Sequence, residues 1–358
     1  MTHPVAKKIL RWYGRHQRDL PWRRTSDPYA VWVSEIMLQQ TQVQTVLPYY
    51  RRFLACFPTV QALAAASLDD VLKAWENLGY YSRARHLHAA AREIVERWQG
   101  MLPSTAEELL HVPGIGPYTA AAIASIAYGE KTPALDGNVK RVLCRLFAVQ
   151  KPLDQNQTHR RLRELAEEVI PSREPGRFNQ GLMDLGAMIC TPRKPACDHC
   201  PLRDLCRAAA KGLQEKLPVK RKKSTLPHKQ MTAAVLVDKR GRYLVVQRPA
   251  QGLLEGLWGF PGGAGQDGQS LQQSLRRAVK EELGITVGCQ KKLAAVSHVY
   301  SHFSITLSVY RCSIRDGKPR ALKCQRVKWA APEELHRLPF SRADRKVMEA
   351  LSVTTGPT

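Results

Sequence analysis

No apolar run in this chain is long enough to cross a bilayer. The longest, Thr119 to Tyr128, falls well short of the roughly 20 residues a spanning helix needs. The first residues, MTHPVAKKILRWYGR, hold no apolar signal core, so neither secretion nor a membrane is expected. Acidic residues are scarce: 31 Asp and Glu stand against 55 Lys and Arg, a formal charge of +24 over 358 residues. A charge that large points to a polyanionic partner, nucleic acid or an acidic membrane face, the plainer alternative being a merely soluble basic enzyme. A disulfide framework is missing too. The nine cysteines are an odd number; four crowd into Cys190 to Cys206, and Cys56, Cys144, Cys289, Cys312 and Cys324 are scattered. That suits a reducing cytosol and one metal site. The apolar share, 44%, is too high for a disordered chain. At roughly 100–200 residues per domain, the length suggests two or three domains.

Two tracts concentrate the charge. Residues 1–24 and 211–230 each carry seven Lys/Arg and one acid, so together they supply half of the +24. The second tract has two prolines and no apolar periodicity, which predicts an interdomain linker at 213–229. It is either a solvated spacer or a stretch that tracks phosphates. Before it the pattern is helical: Leu63, Ala66, Leu68, Val71, Leu72, Trp75 and Leu78 recur at three- and four-residue intervals, as do Val139, Val142, Leu143 and Leu146. Ser67 followed by Asp70 predicts a helix start. After the linker the period changes. Thr232–Val237 and Arg242–Gln247 alternate around a turn, as a hairpin would. Ser270–Leu283 reads as a helix ended by Gly284, and His302–Arg311 as a strand. Residues 1–212 are thus expected to be all helical and 230–355 a separate mixed α/β domain.

Four motifs carry chemistry. In Val112-Pro113-Gly114-Ile115-Gly116-Pro117, two glycines permit positive φ and Pro117 suits a first helical turn. The free N–H groups at that helix start can bind a phosphate, although such a turn alone is more often ordinary. Cys190, Cys197, Cys200 and Cys206 follow C-x6-C-x2-C-x5-C. Four thiolates so spaced can hold a [4Fe–4S] cluster or a zinc ion, and the single close pair favours iron–sulfur. Arg193, Lys194, Arg203 and Arg207 around them could face phosphates. Glu35 has helical neighbours Val31, Trp32, Leu38 and Gln39, none cationic. A carboxyl in apolar surroundings keeps its proton near neutrality, as a general acid must; a surface glutamate or a long-range pair is the plain alternative. Asp136, in Leu135-Asp136-Gly137-Asn138-Val139, taken alone reads as a helix cap.

The run Leu38-Gln39-Gln40-Thr41-Gln42 after Ser34-Glu35, the hairpin VPGIGPYTAAAI, the segment LDGNVKRV and the cysteine cluster occur in the order found in MutY-type adenine DNA glycosylases, which this chain resembles over nearly its whole length. The resemblance implies a multidomain protein: an all-α helix-hairpin-helix glycosylase region with a [4Fe–4S] cluster loop, joined by the basic linker to a mixed α/β Nudix-like domain. In that region about 25–133 would form a six-helix subdomain, and 1–24 with 134–212 the iron–sulfur subdomain. The implied substrate is adenine mispaired with 8-oxoguanine or guanine in double-stranded DNA, flipped from the stack and removed hydrolytically. The related endonuclease III-like enzymes place a lysine where Tyr118 stands here. A phenol cannot form a Schiff base, so a monofunctional enzyme that leaves an abasic site is expected.

By the same resemblance Glu35 and Asp136 are catalytic, Tyr118 and Asn138 order the site, and Gln39 and Thr41 contact the estranged base or its strand. Gly114 and Gly116 would hold phosphate. Leu78-Gly79-Tyr80-Tyr81 matches the wedge, with Tyr80 inserting beside the lesion. Residues 230–355 resemble a MutT-like Nudix domain whose box, laid from Gly263 through Arg277, Glu281, Glu282 and Gly284, has Gln269 and Ala278 at two acidic positions. Magnesium needs hard charged oxygens, so no nucleotide hydrolysis is expected. Tyr300-Ser301-His302 matches the loop that reads 8-oxoguanine. A cytoplasmic monomer acting on the chromosome is expected. The competing readings are a glycosylase/lyase, which Tyr118 opposes; a non-catalytic cluster-bearing DNA sensor, which leaves Glu35 unexplained; and a nucleotide hydrolase, which the lost glutamates oppose.

Overall fold

The computed structural model describes residues 2–219, 226–249, 252, 254–300 and 303–354. The chain divides into two compact units, Met1–Ala65 with His86–Lys223, and Ala66–Arg85 with Ser224–Thr358.

The first unit is helical. Helix Pro28–Leu38 opens on Asp27, whose side chain accepts the N–H groups of Tyr29 and Ala30, with proline at its first position. It buries every residue from Tyr29 to Met37, as a helix apolar on all sides must. Helix Pro117–Ala127 is the same kind of element, buried continuously from Thr119 to Ser125. Around them run three amphipathic helices and a fourth, Pro175–Met188, that is buried continuously from Phe178 to Gly186. Pro4–His16, Gly137–Leu146, Asn156–Val169 and Pro175–Met188 share a core that includes Ile9, Tyr13, Val139, Leu143, Leu162, Phe178 and Leu182. Close approach is enforced at Gly186, where an added Cβ would lie 2.6 Å from that of Asn138. No side chain larger than hydrogen fits at that point between these two helices.

In the second unit, Ser67 caps helix Leu68–Ala74 by accepting the Asp70 N–H, as its spacing predicts. The rest is built on two sheets. Strand His228–Leu236 lies between Gly262–Ala264, antiparallel, and Ser304–Asp316, parallel; the latter pairs antiparallel with Thr286–Val299. A second sheet orders Trp258–Gly259, Tyr243–Gln247 and Arg326–Ala330. Along His228–Leu236 successive residues alternate between two cores: Ala233 and Val235 enter one with Phe340 and Val347, Ala234 and Leu236 the other with Leu275, Val279 and Leu283. Helix Leu271–Leu283 has the expected ends, a Ser270–Gln273 capping box and Gly284 in the left-handed region at φ 72°.

The hairpin expected at 232–247 does not form. The chain does turn at Asp238, whose N–H donates to the Arg242 carbonyl. Beyond a single bridge, Val237 to Tyr243, its two arms belong to different sheets. Alternation reports that one face of each strand is buried, not which strand is its neighbour. The strand expected from His302 is Ser304–Asp316. Of the expected linker, 220–225 lies outside the described residues. Leu217 before it is buried, and strand His228–Leu236 begins just after.

Candidate active site

Glu35, Gln39, Thr41, Gly114, Gly116, Tyr118, Asp136 and Asn138 all line one cleft of about 1300 Å³ in the first unit. Glu35 sits near the end of the fully buried helix Pro28–Leu38 and is only 5% exposed. The Tyr118 hydroxyl donates to its Oε2 at 2.5 Å. Burial pushes the Glu35 carboxyl above the usual range; the Tyr118 bond and Arg23 oppose that, and Asp136 adds to it. Burial likewise drives the Tyr118 phenol well above its ordinary value, with the Glu35 charge contributing. Both groups therefore favour their neutral forms.

Asp136 caps helix Gly137–Leu146, as the cap reading predicts. Its Oδ1 accepts the Val139 N–H at 2.6 Å and its Oδ2 the Asn138 Nδ2 at 2.9 Å. Burial raises this carboxyl too, while the Val139 and Asn138 donors and then Arg141 hold it down. Its donors are N–H groups at a helix N-terminus, which suit an anion; the donor on Glu35 is a phenol. The two carboxyls thus share one cleft in different settings. Asn138 also accepts Arg141 Nη2 at 2.8 Å. Arg141 continues to the carbonyls of Cys190 and Gly186.

The hairpin glycines differ. Gly114 has φ 79°, and a Cβ there would fall 2.8 Å from that of His86, so glycine is required. Gly116 does not need positive φ: it is extended at φ −91° and caps helix Pro117–Ala127 with no side-chain bond. A Cβ on it meets open space, on the cleft. Gln39 ends helix Pro28–Leu38, and its Nε2 lies 3.4 Å from Thr119 Oγ1. Thr41 Oγ1 donates to the Gln39 carbonyl at 3.3 Å. Between them Gln40 is left-handed at φ 56°, a strained conformation of the kind that clusters at functional sites.

Sequence reasoning missed a charge cluster at the cleft. Asp184, fully buried, accepts Arg18 Nη2 at 2.6 Å and Nε at 2.9 Å, and Arg23 Nη2 at 3.2 Å. Arg23 lines the cleft, and its Nε is buried without a hydrogen-bond partner among the described residues. The only signal available was the arginine-rich N-terminal tract, which reads as solvated charge.

Cys190, Cys197, Cys200 and Cys206 line a small cavity with Arg145, whose Nη1 lies 3.3 Å from Cys190 Sγ. Burial pushes the Cys200 thiol up to about 11 and raises Cys197, the neighbouring sulfurs adding to both. Four convergent sulfurs around one small cavity are a fitting donor set for a thiolate-bound iron–sulfur group. Of the nearby cations, Arg203 pairs with Asp198 and Arg207 lies over the Phe147 ring, whereas Arg193 and Lys194 are exposed.

In the second unit Leu78 is buried and Tyr80 is 39% exposed, at a turn where Asn77, Gly79 and Tyr80 all have positive φ. The Arg83 guanidinium lies 5.2 Å from the Tyr80 ring and 5.4 Å from that of Trp75, and donates to the Gly79 carbonyl. Tyr300 stacks edge-on against His298; Ser301 and His302 lie outside the described residues. In the Nudix-like box Glu281 is taken by Lys323, and Glu282 is largely buried and accepts the Gly262 N–H.

Three family models match the chain: the HhH-GPD superfamily of base excision DNA repair proteins over 33–171, the iron–sulfur binding domain of endonuclease III over 190–206, and the NUDIX domain over 232–350. The cysteine loop is thus an iron–sulfur site, and zinc is set aside. An adenine DNA glycosylase of Homo sapiens is 38% identical, with 95% of this chain and 72% of that protein covered. One of Buchnera aphidicola is 34% identical, with 85% of each covered. Among solved structures, a thermostable thymine-DNA glycosylase superposes with a TM-score of 0.53 at 33% identity, covering 57% of this chain and 95% of its own. With three of those motifs gathered in one cleft, the cysteine loop at a cavity of its own and relatives matched across both domains, the chain is an enzyme that belongs to the MutY-type adenine DNA glycosylase family.

Proposed function

We propose that this enzyme removes adenine mispaired with 8-oxoguanine or guanine in duplex DNA, by hydrolysis alone, and leaves an abasic site. The observation that carries the reading is Glu35: a buried carboxyl, raised by burial and held by Tyr118, in a cleft with a second carboxyl bonded by N–H groups. Glu35, protonated, donates to N7 of an everted adenine. The N-glycosyl bond breaks, its electron pair leaves with the base, and positive charge develops on the sugar. Asp136, ionised first because its donors favour the anion, stabilises that charge. Glu35, now a carboxylate, takes a proton from water as its oxygen bonds to C1′, which restores the acid. Tyr118 orients Glu35, and Asn138 orients Asp136. With a phenol in place of an amine, no lyase step is available.

The remaining roles follow the family reading. Tyr80, the exposed aromatic of its turn, wedges the duplex. Tyr300, Ser301 and His302 read the opposite base, and the box with Gln269 and Ala278 hydrolyses nothing. The four cysteines hold a [4Fe–4S] cluster, which when bound supplies a rigid tie across residues 190–206. The same reading has the enzyme act as a monomer on chromosomal DNA in the cytoplasm. The test is a strand assay on duplexes bearing adenine opposite 8-oxoguanine or guanine, with and without alkali. Breaks only after alkali are expected, faster opposite 8-oxoguanine. Breaks without alkali, together with a borohydride-trapped adduct, would refute hydrolysis alone.

A further inference from the structure

The second unit joins two stretches of chain remote in sequence, 66–85 with the Tyr80 turn, and 224–358. Several of the contacts that join them fall on the two residues flanking that turn. Glu76, only 12% exposed, accepts both Nε and Nη2 of Arg345 on its Oε1, at 2.6 and 2.5 Å. The same oxygen accepts the Phe340 N–H at 3.3 Å. On the other side of the turn, the Tyr81 hydroxyl donates to the Phe340 carbonyl at 3.3 Å and accepts the Asn77 N–H at 3.1 Å. The peptide groups of one fully buried residue are therefore gripped from both ends of the Asn77–Tyr80 turn. Three residues of that turn are left-handed, two of them not glycine. Such a turn keeps its shape only where its surroundings over-determine it.

We infer that the Glu76–Arg345 pair, through Phe340, makes the C-terminal domain the element that positions Tyr80, so that the domain facing the opposite base also sets the pose of the wedge. The inference rests on the reading of Tyr80 as a wedge. The pair is not needed for attachment, because Arg85 and Glu255 form a second ion pair at 2.9 Å and Gln247 bonds Asp69 at 3.2 Å. Nor does loss of Arg345 strand the glutamate, since Lys73 Nζ stays on Glu76 Oε2 at 2.7 Å. Glu76 and Arg345 are thus positioning residues, and their effect should fall on wedging rather than on attachment.

The experiment uses full-length protein and a duplex with 2-aminopurine beside 8-oxoguanine, whose fluorescence rises when a wedge unstacks it. Arg345→Met should change duplex affinity by less than about threefold, while the fluorescence step and the single-turnover excision rate both fall about tenfold, the size of coupling expected between touching residues. Arg345→Lys, which keeps the charge, should regain part of both signals, and melting temperatures check the fold. Tyr80→Ala is the reference for a lost wedge. If it loses both signals while Arg345→Met keeps them, the positioning role is overturned and the wedge reading stands. If both signals simply follow melting temperature in Arg345→Met and Arg345→Lys, the pair is structural only and the inference is overturned. If Tyr80→Ala itself keeps both signals, the wedge reading falls and this inference with it.

Discussion

A glutamic acid on a wholly buried helix persists either with a counter-charge or with a proton. The cation that acts on Glu35 is Arg23, and that guanidinium is already paired with Asp184. The proton is what remains, and burial raises the carboxyl accordingly. Native Glu35 then holds its proton at pH values where an unfolded glutamic acid, near 4.5, has lost it. The stability this contributes is complete below the unfolded value and is lost as pH rises through the higher native value. Glu35→Gln abolishes that loss and can keep the bond from Tyr118. The variant should therefore melt above the wild type at about pH 8, with the gap closing toward about pH 4. It should still bind mismatched duplex but release no adenine, and the wild-type single-turnover rate should fall on the alkaline side through the same titration. A melting difference independent of pH, or near-normal excision by the variant, would remove the proton from Glu35 and the acid role with it.

At the scale of elements, helix Gly137–Leu146 links the two chemical centres of the first unit. Asp136 caps one end at the cleft. Toward the other end Arg145, 1% exposed, donates to the carbonyls of Leu217, Cys190, Thr191 and Pro192. Arg145→Met strips donors from one buried and three part-buried carbonyls, each worth up to about 1–3 kcal/mol when left bare. Stability to denaturant should drop by about 3 kcal/mol or more, and purified protein should carry less iron per chain. Full iron with unchanged stability would show that the helix does not hold the cysteine loop. Much of this helix was legible beforehand: its apolar period and its Asp136 cap are local signals. Arg141 and Arg145 were not, because charges on an amphipathic helix read as solvent-facing until the carbonyls that bury them, some 45 residues and more away, are in place. The 232–247 hairpin failed for the same reason, since strand partners are non-local. Glu35 stood out because its own helix is apolar all round, a fact contained in eleven consecutive residues. Arg18, Arg23 and Asp184 did not, because their meaning lies in a pairing across about 160 positions.

Over the whole molecule the +24 is not uniformly available to a polyanion. The N-terminal tract folds into helix Pro4–His16 and the segment after it, and four of its seven cations are paired: Lys8 with Asp204, Arg18 and Arg23 with Asp184, Arg24 with Asp19. Two of those pairs are largely buried and serve the cleft, while the other two lie on the surface. The second tract differs in sequence alone: Lys220, Arg221, Lys222 and Lys223 are consecutive, with the nearest acid at Glu215. If the enzyme's attraction for DNA is counterion release, the two tracts should contribute unequally. Replacing the four cations 220–223 by Gln should make the plot of log affinity against log salt shallower by about 0.9 for each phosphate no longer neutralised, and so by as much as about 3.6. Lys8→Gln, which removes a charge already neutralised by Asp204, should move that slope by much less. Excision by enzyme saturated with duplex should be unchanged in both, because neither replacement alters Glu35, Asp136 or the side chains bonded to them. A slope insensitive to the four replacements would mean that the tract is a solvated spacer and that the phosphates are held on the folded units.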